Sequence, residues 1–360
     1  MTPVPLNDLR RHNHPLAAAL KQAGERVIDS GWYVLGNEVA AFERDFAGYC
    51  GAAACIGVGN GTDALELALR ALGCGPGDQV LTVANAGMYA ASAICCVGAR
   101  PVFVDIDPLR LTMDPTSAAG HVTARTKAVV ITHLYGRLAD LAGLRAVLGD
   151  LPIIEDCAQA HGATSAAGIR AGAFGAIGCF SFFPTKNLGA LGDGGAVITS
   201  DAGLAEELKR LRQYGWSEKY QATSRGGRNS RLDEMQAAFL RVKLPLLDGW
   251  NARRRAIVAR YRAALPDGAM PKPGLDDVGH LAVARLADRE AVRGRLAEAG
   301  IQTAIHYPVA DYRQPALAHL GPVPPLAETE RALAEILTLP CFPELTDTEL
   351  DMVATILAAR

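Results

Sequence analysis

Between residues 53 and 156 the chain alternates short apolar runs with segments of helical periodicity, and this alternation narrows the possible folds more than any other feature. The run 53–58 passes through Gly59-Asn60-Gly61 into a predicted helix over 62–72. Further strands are predicted at 79–83, 101–104, 128–132 and 152–154, the last running into Glu155-Asp156, with helices at 89–97 and 139–148. Strands joined through helices cannot be hairpins, so they pair in parallel and bury both faces under helices. Between 175 and 199 the pattern changes to two apolar strands around a glycine-rich turn at 189–195. Two helices, opening at Pro15 and at about residue 38, precede the alternation, and helices dominate 204–265. Pro and Gly cluster at 266–274 as a linker. Beyond it come strands at 280–286 and 301–307 around a helix at 289–299, then two closing helices. The expected fold is α/β: a large three-layer α/β/α domain over 1–245, with a mostly parallel sheet, and a smaller α+β domain over 246–360.

Charge and composition exclude several functions. Lys plus Arg total 36 against 38 for Asp plus Glu, a net charge of −2, which leaves no electrostatic footprint for nucleic acid or an acidic membrane face. No apolar run approaches the roughly 20 residues of a membrane span. The start Met1-Thr2-Pro3-Val4-Pro5 has neither a basic region nor an apolar core, so no signal peptide is expected. The eight cysteines form no C-x-x-C pair, which suits reduced thiols in a cytoplasmic protein better than disulfides or zinc.

Three segments carry chemistry. The first, Gly57-Val58-Gly59-Asn60-Gly61-Thr62-Asp63-Ala64, leads a strand through glycines into a helix start, where free N–H groups and the helix dipole suit a phosphate. From Gly59 it also fits the dinucleotide pattern G-x-G-x-x-A. A nicotinamide site would need an acid after the next strand, and that strand ends Val83-Ala84-Asn85. The second, Glu155-Asp156-Cys157-Ala158-Gln159-Ala160-His161-Gly162, follows an apolar strand, at the end where open sheets place ligands. His161 reads there as a satisfied structural histidine. In the third, Lys186 stands between the aromatics Phe180, Phe182 and Phe183 and a glycine-rich turn. Desolvation by such neighbours lowers an ammonium pKa, as a Schiff-base lysine requires. A phosphate cradle, a carboxylate and a lysine about thirty residues later are the parts a pyridoxal phosphate enzyme needs.

With those residues in view, the chain resembles the DegT/StrS-type sugar-nucleotide aminotransferases, within the fold type I pyridoxal phosphate enzymes. The likeness is carried by Gly59-Asn60-Gly61-Thr62-Asp63-Ala64-Leu65, by 155–162, and by Phe180-Ser181-Phe182-Phe183-Pro184-Thr185-Lys186-Asn187-Leu188-Gly189. Gly227-Arg228-Asn229-Ser230-Arg231-Leu232-Asp233-Glu234-Met235-Gln236 and Ile305-His306-Tyr307-Pro308 extend it. The resemblance implies that Lys186 forms the Schiff base and that Asp156 partners the pyridine nitrogen. It further implies that Gln159 meets the ring hydroxyl or flanks the ring, while Gly61, Thr62, Asp63 and Ser181 belong to the phosphate site. Asn229 would reach that phosphate from the neighbouring subunit of a homodimer, its alternative role being a helix N-cap. Tyr33, Tyr214, Trp216, Lys219, His306 and Tyr307 are the implied substrate contacts.

Two places depart from the family pattern. Many relatives stack an aromatic residue on the pyridine ring where this chain reads Asn85-Ala86-Gly87-Met88-Tyr89, leaving Met88 or Tyr89 for that role. Relatives also carry a histidine where this chain has Asp311-Tyr312-Arg313. The implied reaction passes an amino group from L-glutamate, through pyridoxamine phosphate, to a dTDP-linked 3-oxo-6-deoxyhexose. The product, a 3-amino-3,6-dideoxy sugar, would serve a surface polysaccharide or a glycosylated metabolite. A 4-oxo nucleotide sugar or a keto-cyclitol is the alternative substrate, and a non-catalytic pyridoxal phosphate-binding regulator the more distant alternative. Dehydratase relatives replace the lysine with histidine, which Lys186 argues against.

Overall fold

A computed structural model describes residues 3–359. Seven strands form one sheet: β1 (Ala54–Val58), β2 (Gln79–Val83), β3 (Arg100–Val104), β4 (Thr126–Thr132), β5 (Ile153–Asp156), β6 (Ile177–Ser181) and β7 (Gly195–Thr199), in the order β1-β7-β6-β5-β4-β2-β3. The pairs from β3 through β6 are parallel, whereas β7 runs antiparallel to both β6 and β1. The alternation in the sequence thus yields a mostly parallel sheet, reversed where the 182–194 loop joins β6 to β7. Successive residues face opposite layers. Val130 and Ile154 pack with Leu65 and Leu69 of the helix Gly61–Ala71, while Val129, Ile131 and Ile153 pack with Leu141, Leu144 and Leu148 on the other face. Burial on both faces explains why these strands are continuous apolar runs.

Two expectations need correction in the later half. Helix was predicted to dominate 204–265, but a hairpin of β8 (Trp216–Glu218) and β9 (Gln221–Ala222) separates helix Ala202–Leu211 from helices Glu234–Lys243 and Leu247–Ala264. Tyr214, Gly215 and Tyr220 adopt left-handed backbone (φ +60°, +76° and +72°), which no α-helix accommodates. Residues 301–307 make only isolated bridges, Ile301 to Val4 and Ala304 to Thr338. The strand expected at 280–286 is present as β10 (Ala282–Arg285), antiparallel to β11 (Ile336–Leu339), a strand between the closing helices that the sequence reading missed. The helix Pro115–His121, capped by Asp114, was missed too. Among the described residues no helix is long and apolar enough to cross a membrane.

Candidate active site

The neighbouring parallel strands β4, β5 and β6 end together, and their ends deliver Thr132, Asp156 and Ser181 to one cavity of about 780 Å³. Ligands collect at the carboxyl ends of open α/β sheets for this topological reason. Register places Thr132 opposite Asp156, and its hydroxyl donates to Asp156 Oδ2 at 3.4 Å. Asp156 Oδ1 accepts the Ala158 N–H at 3.1 Å. Burial raises the Asp156 carboxyl above its ordinary range, opposed by the Ala158 amide and by Lys186. Lys186 lines the same cavity from a turn closed by its N–H to Phe183 O at 2.8 Å. Burial pulls its ammonium down to about 8, with Asp156 pulling the other way.

The wall opposite is the start of helix Gly61–Ala71. Asn60 caps it by accepting the Asp63 N–H at 2.8 Å, which leaves the Gly61 and Thr62 amides to face the cavity. A Cβ at Gly61 would stand 2.6 Å from Ser181 Cβ, so only glycine lets the helix start approach the end of β6. The Asp63 carboxylate is engaged behind this cradle: Ser230 Oγ donates to Oδ2 at 2.6 Å, and Arg228 pairs with Oδ1 at 3.2 Å. Ser230 Oγ also accepts the Gly59 N–H at 2.9 Å.

Gln159 is oriented from both ends, its Oε1 accepting the Tyr135 N–H at 2.6 Å and its Nε2 donating to the Tyr307 hydroxyl at 3.3 Å. His306 and Tyr307 both line the cavity, and His306 Nδ1 lies 3.0 Å from Thr338 Oγ1. Of the two candidates for the ring face, Tyr89 lines the cavity while Met88 packs against the core. Besides Met88, five of the expected residues lie outside the cavity lining. Asn229 is exposed, and the helix it was suggested to cap begins at Glu234 with Asp233 as its cap. Tyr33 is on the surface, its carbonyl accepting the Glu234 N–H at 3.0 Å. Tyr214, Trp216 and Lys219 belong to the β8–β9 hairpin region, where Tyr214 and Trp216 rings pack 5.0 Å apart and Lys219 Nζ sits 5.2 Å from the Tyr220 ring.

Sequence reasoning missed His280, Asn7 and Thr132, all in the cavity lining. Thr132 could have been found from its place at the end of the strand beside β5; nothing local marks the other two. His280 is held by Asn187, whose Oδ1 lies 2.9 Å from its Nδ1. Asn187 Nδ2 is committed to Asn251 Oδ1 at 2.8 Å and to Val278 O at 3.2 Å. Its oxygen must therefore accept, so His280 Nδ1 carries a proton and Nε2 keeps its lone pair. His161 is buried against Phe180 and Phe182 as a structural residue. Burial, then Lys186, pushes its pKa down to about 3.

One buried group of metal-ligand type, His133, Glu155 and Cys157, has its ligand atoms within 4.8 Å of one another. Hydrogen bonds already engage His133 and Glu155. Glu155 accepts from Gly172, Phe174 and Gly175 amides and meets His133 Nε2 at 2.9 Å, while His133 Nδ1 accepts the Ala139 N–H. Glu155 ties the carboxyl end of β5, next to Asp156, to His133 and to the 172–175 segment.

A buried lysine and carboxylate facing an amide cradle at the ends of parallel strands define a lysine-dependent site with room for a phosphorylated aromatic cofactor. The profile of the DegT/DnrJ/EryC1/StrS aminotransferase family matches residues 16–358, and the chain belongs to that family. It is 45% identical to the erythromycin biosynthesis sensory transduction protein EryC1 of Saccharopolyspora erythraea, over 99% of both chains. It is 44% identical to a dTDP-3-amino-3,4,6-trideoxy-alpha-D-glucose transaminase of Streptomyces venezuelae, over 95% of this chain and 92% of that one. The X-ray structure of S. venezuelae DesV superposes with a TM-score of 0.94 at 41% identity, covering 99% of this chain and 98% of that one. The protein is a pyridoxal phosphate-dependent aminotransferase, and a solved relative from Bacillus subtilis, 28% identical, carries bound pyridoxamine phosphate. The site fits this cofactor: Gly61 leaves the space a phosphate cradle needs, Asp156 offers a buried anion, and Lys186 has the lowered pKa that imine formation requires.

Proposed function

We propose that this enzyme moves an amino group from L-glutamate to the ketone of a dTDP-linked 3-oxo-6-deoxyhexose, giving the dTDP-linked 3-amino-3,6-dideoxyhexose. The observation that carries the reading is the convergence of Lys186, Asp156 and the Gly61–Thr62 cradle on one cavity. Two 44% identical relatives support the 3-amino dTDP sugar: the S. venezuelae transaminase and a dTDP-3-amino-3,6-dideoxy-alpha-D-galactopyranose transaminase of Aneurinibacillus thermoaerophilus. A UDP-linked acceptor is the alternative, because a 42% identical relative from Acidithiobacillus ferrooxidans is named as a UDP-N-acetyl-3-dehydro-alpha-D-glucosamine 3-aminotransferase.

Bound pyridoxal phosphate supplies a carbonyl for imine exchange and a ring that accepts the electron pair released at the donor's α-carbon. Gly61, Thr62 and Ser181 would hold its phosphate, Asp156 its ring nitrogen, and Gln159 and Tyr89 its faces. Lys186 moves the proton. With a pKa near 8, about a tenth of its amine is neutral at pH 7, against less than a thousandth for an ordinary lysine. It therefore serves as base toward the donor and as acid toward the keto acceptor at the same pH.

Two further elements complete the proposal. Asn229 reaches the phosphate of a partner subunit in a homodimer, consistent with its exposure outside its own cavity. Residues 1–245 and 246–360 act as two units in the cytoplasm, consistent with the separate β10–β11 sheet and the eight unpaired cysteines. The test is a spectrum of the purified protein before and after glutamate, followed by dTDP- and UDP-linked keto sugars. A yellow band that glutamate bleaches, restored by the dTDP-linked 3-keto sugar and absent in Lys186→Ala, is expected. Recovery only with a UDP sugar, a 4-keto sugar or a keto-cyclitol would replace the substrate.

A further inference from the structure

The two departures from the family pattern, at 85–89 and at 311, meet in the structure. Asp311 is buried at 1% exposure, and its N–H donates to Ala84 O at 2.8 Å. Its Oδ1 accepts the Met88 N–H at 2.9 Å. Gly87 and Met88 are consecutive left-handed residues, φ +77° and +73°, and only the first is a glycine. A left-handed methionine persists only where its surroundings enforce it. Successive amides in such a turn form a concave anion site, and the Asp311 carboxylate fills it. The other carboxyl oxygen, Oδ2, has no hydrogen-bond partner, and burial raises the carboxyl to about 7 against the pull of the Met88 and Gly87 amides.

What the turn sets is the cavity wall. The residue after Met88 is Tyr89, the first of helix Tyr89–Cys96. The Tyr89 ring meets the Tyr307 ring edge-on, 6.1 Å between centroids at 74°. A Cβ at Gly87 would stand 2.9 Å from Tyr307 Cδ1, so turn and ring are in contact. With the turn in this conformation Tyr89 lines the cavity, and Met88 packs against the core.

We propose that Asp311 is a positioning residue that holds the 84–88 turn so that Tyr89 supplies the aromatic face for the cofactor ring, making the two departures one compensated change. The inference rests on the cofactor occupying this cavity, not on the identity of the sugar.

The test is a double-mutant cycle on cofactor binding. Pyridoxal phosphate Kd and the visible circular dichroism of the bound cofactor are measured for wild type, Asp311→Ala, Tyr89→Leu and the double variant. Each single change is expected to weaken binding about tenfold and to diminish the dichroic band. The double variant should be no worse than Tyr89→Leu alone, because both changes remove the same contact. Asp311→Asn, which keeps the acceptor oxygen, should restore the band and bring Kd within about threefold of wild type. If Asp311→Ala does not fold, Asp311→Ser, one atom shorter, takes its place in the cycle. Additive losses, or an unchanged band in Asp311→Ala, would overturn the proposal. Failure of every keto sugar with normal cofactor binding would remove the substrate assignment and leave this inference standing.

Discussion

Arg137 Nε donates to Asp277 Oδ2 at 3.0 Å with both side chains buried, so the loop after β4 and the segment entering β10 share one ion pair. The same guanidinium reaches Val283 O at 3.2 Å, and backbone bonds from Leu138 to Asp276 and from Val278 to Gly136 reinforce the junction. His280 and Leu281 of the cavity lining follow within four residues of Asp277, so this pair sets where they stand. Removing one partner strands the other charge. Asp277→Ala should lose about 3–5 kcal/mol in urea unfolding, and a loss below about 1 kcal/mol would show that the junction does not depend on the pair.

Uptake of the cofactor should titrate with Lys186. Only the neutral amine forms an imine, and burial places its pKa near 8. The rate at which the apoenzyme develops its yellow band should rise with pH and level off above a midpoint of about 8. A rate still climbing toward pH 10 would mean that the lysine is solvated.

Acid should destabilise the fold before the carboxylates titrate. Burial pushes His161 down to about 3 and His280 well below its ordinary value, whereas an unfolded histidine titrates near 6.5. Below about pH 6.5 the unfolded chain binds protons that the folded chain does not, so stability falls as pH falls. Each such histidine contributes about 1.4 kcal/mol per pH unit. His161→Phe should therefore lose about 1 kcal/mol less than wild type between pH 6.5 and 5.5, where the unfolded imidazole goes from half to nearly fully protonated, measured by denaturant midpoints. Equal losses in both proteins would place the proton elsewhere.

Ser230 bridges Gly59 and Asp63 behind the amide cradle. Ser230→Ala leaves a buried amide and a carboxylate oxygen without that partner, at about 1.4 kcal/mol, and should raise the pyridoxal phosphate Kd about tenfold. Ser230→Thr should restore it. A Kd unchanged in Ser230→Ala would mean that the helix start is held by its Asn60 cap alone.

The sequence by itself determined most of the sheet and several residues that meet in one cavity. Short apolar runs such as Val129–Ile131 and Ile153–Ile154, alternating with helical segments, mark strands buried on both faces, and each catalytic candidate lies within a few residues of a strand end, where local order already points it. Lys186, Asp156, Gly61, Thr62 and Ser181 were legible for that reason and share one cavity. Tertiary structure alone decided the rest. His280 and Asn7 come from far along the chain and carry no local signal; His280 is placed through Asn187, 93 residues away, and Asn7 beside Leu6, whose amide reaches Gln302 at 3.3 Å. Tyr89 lines the cavity beside a turn whose Met88 amide binds a carboxylate 223 residues away. Periodicity reports which face of an element is buried, and says nothing of which distant group will meet it there.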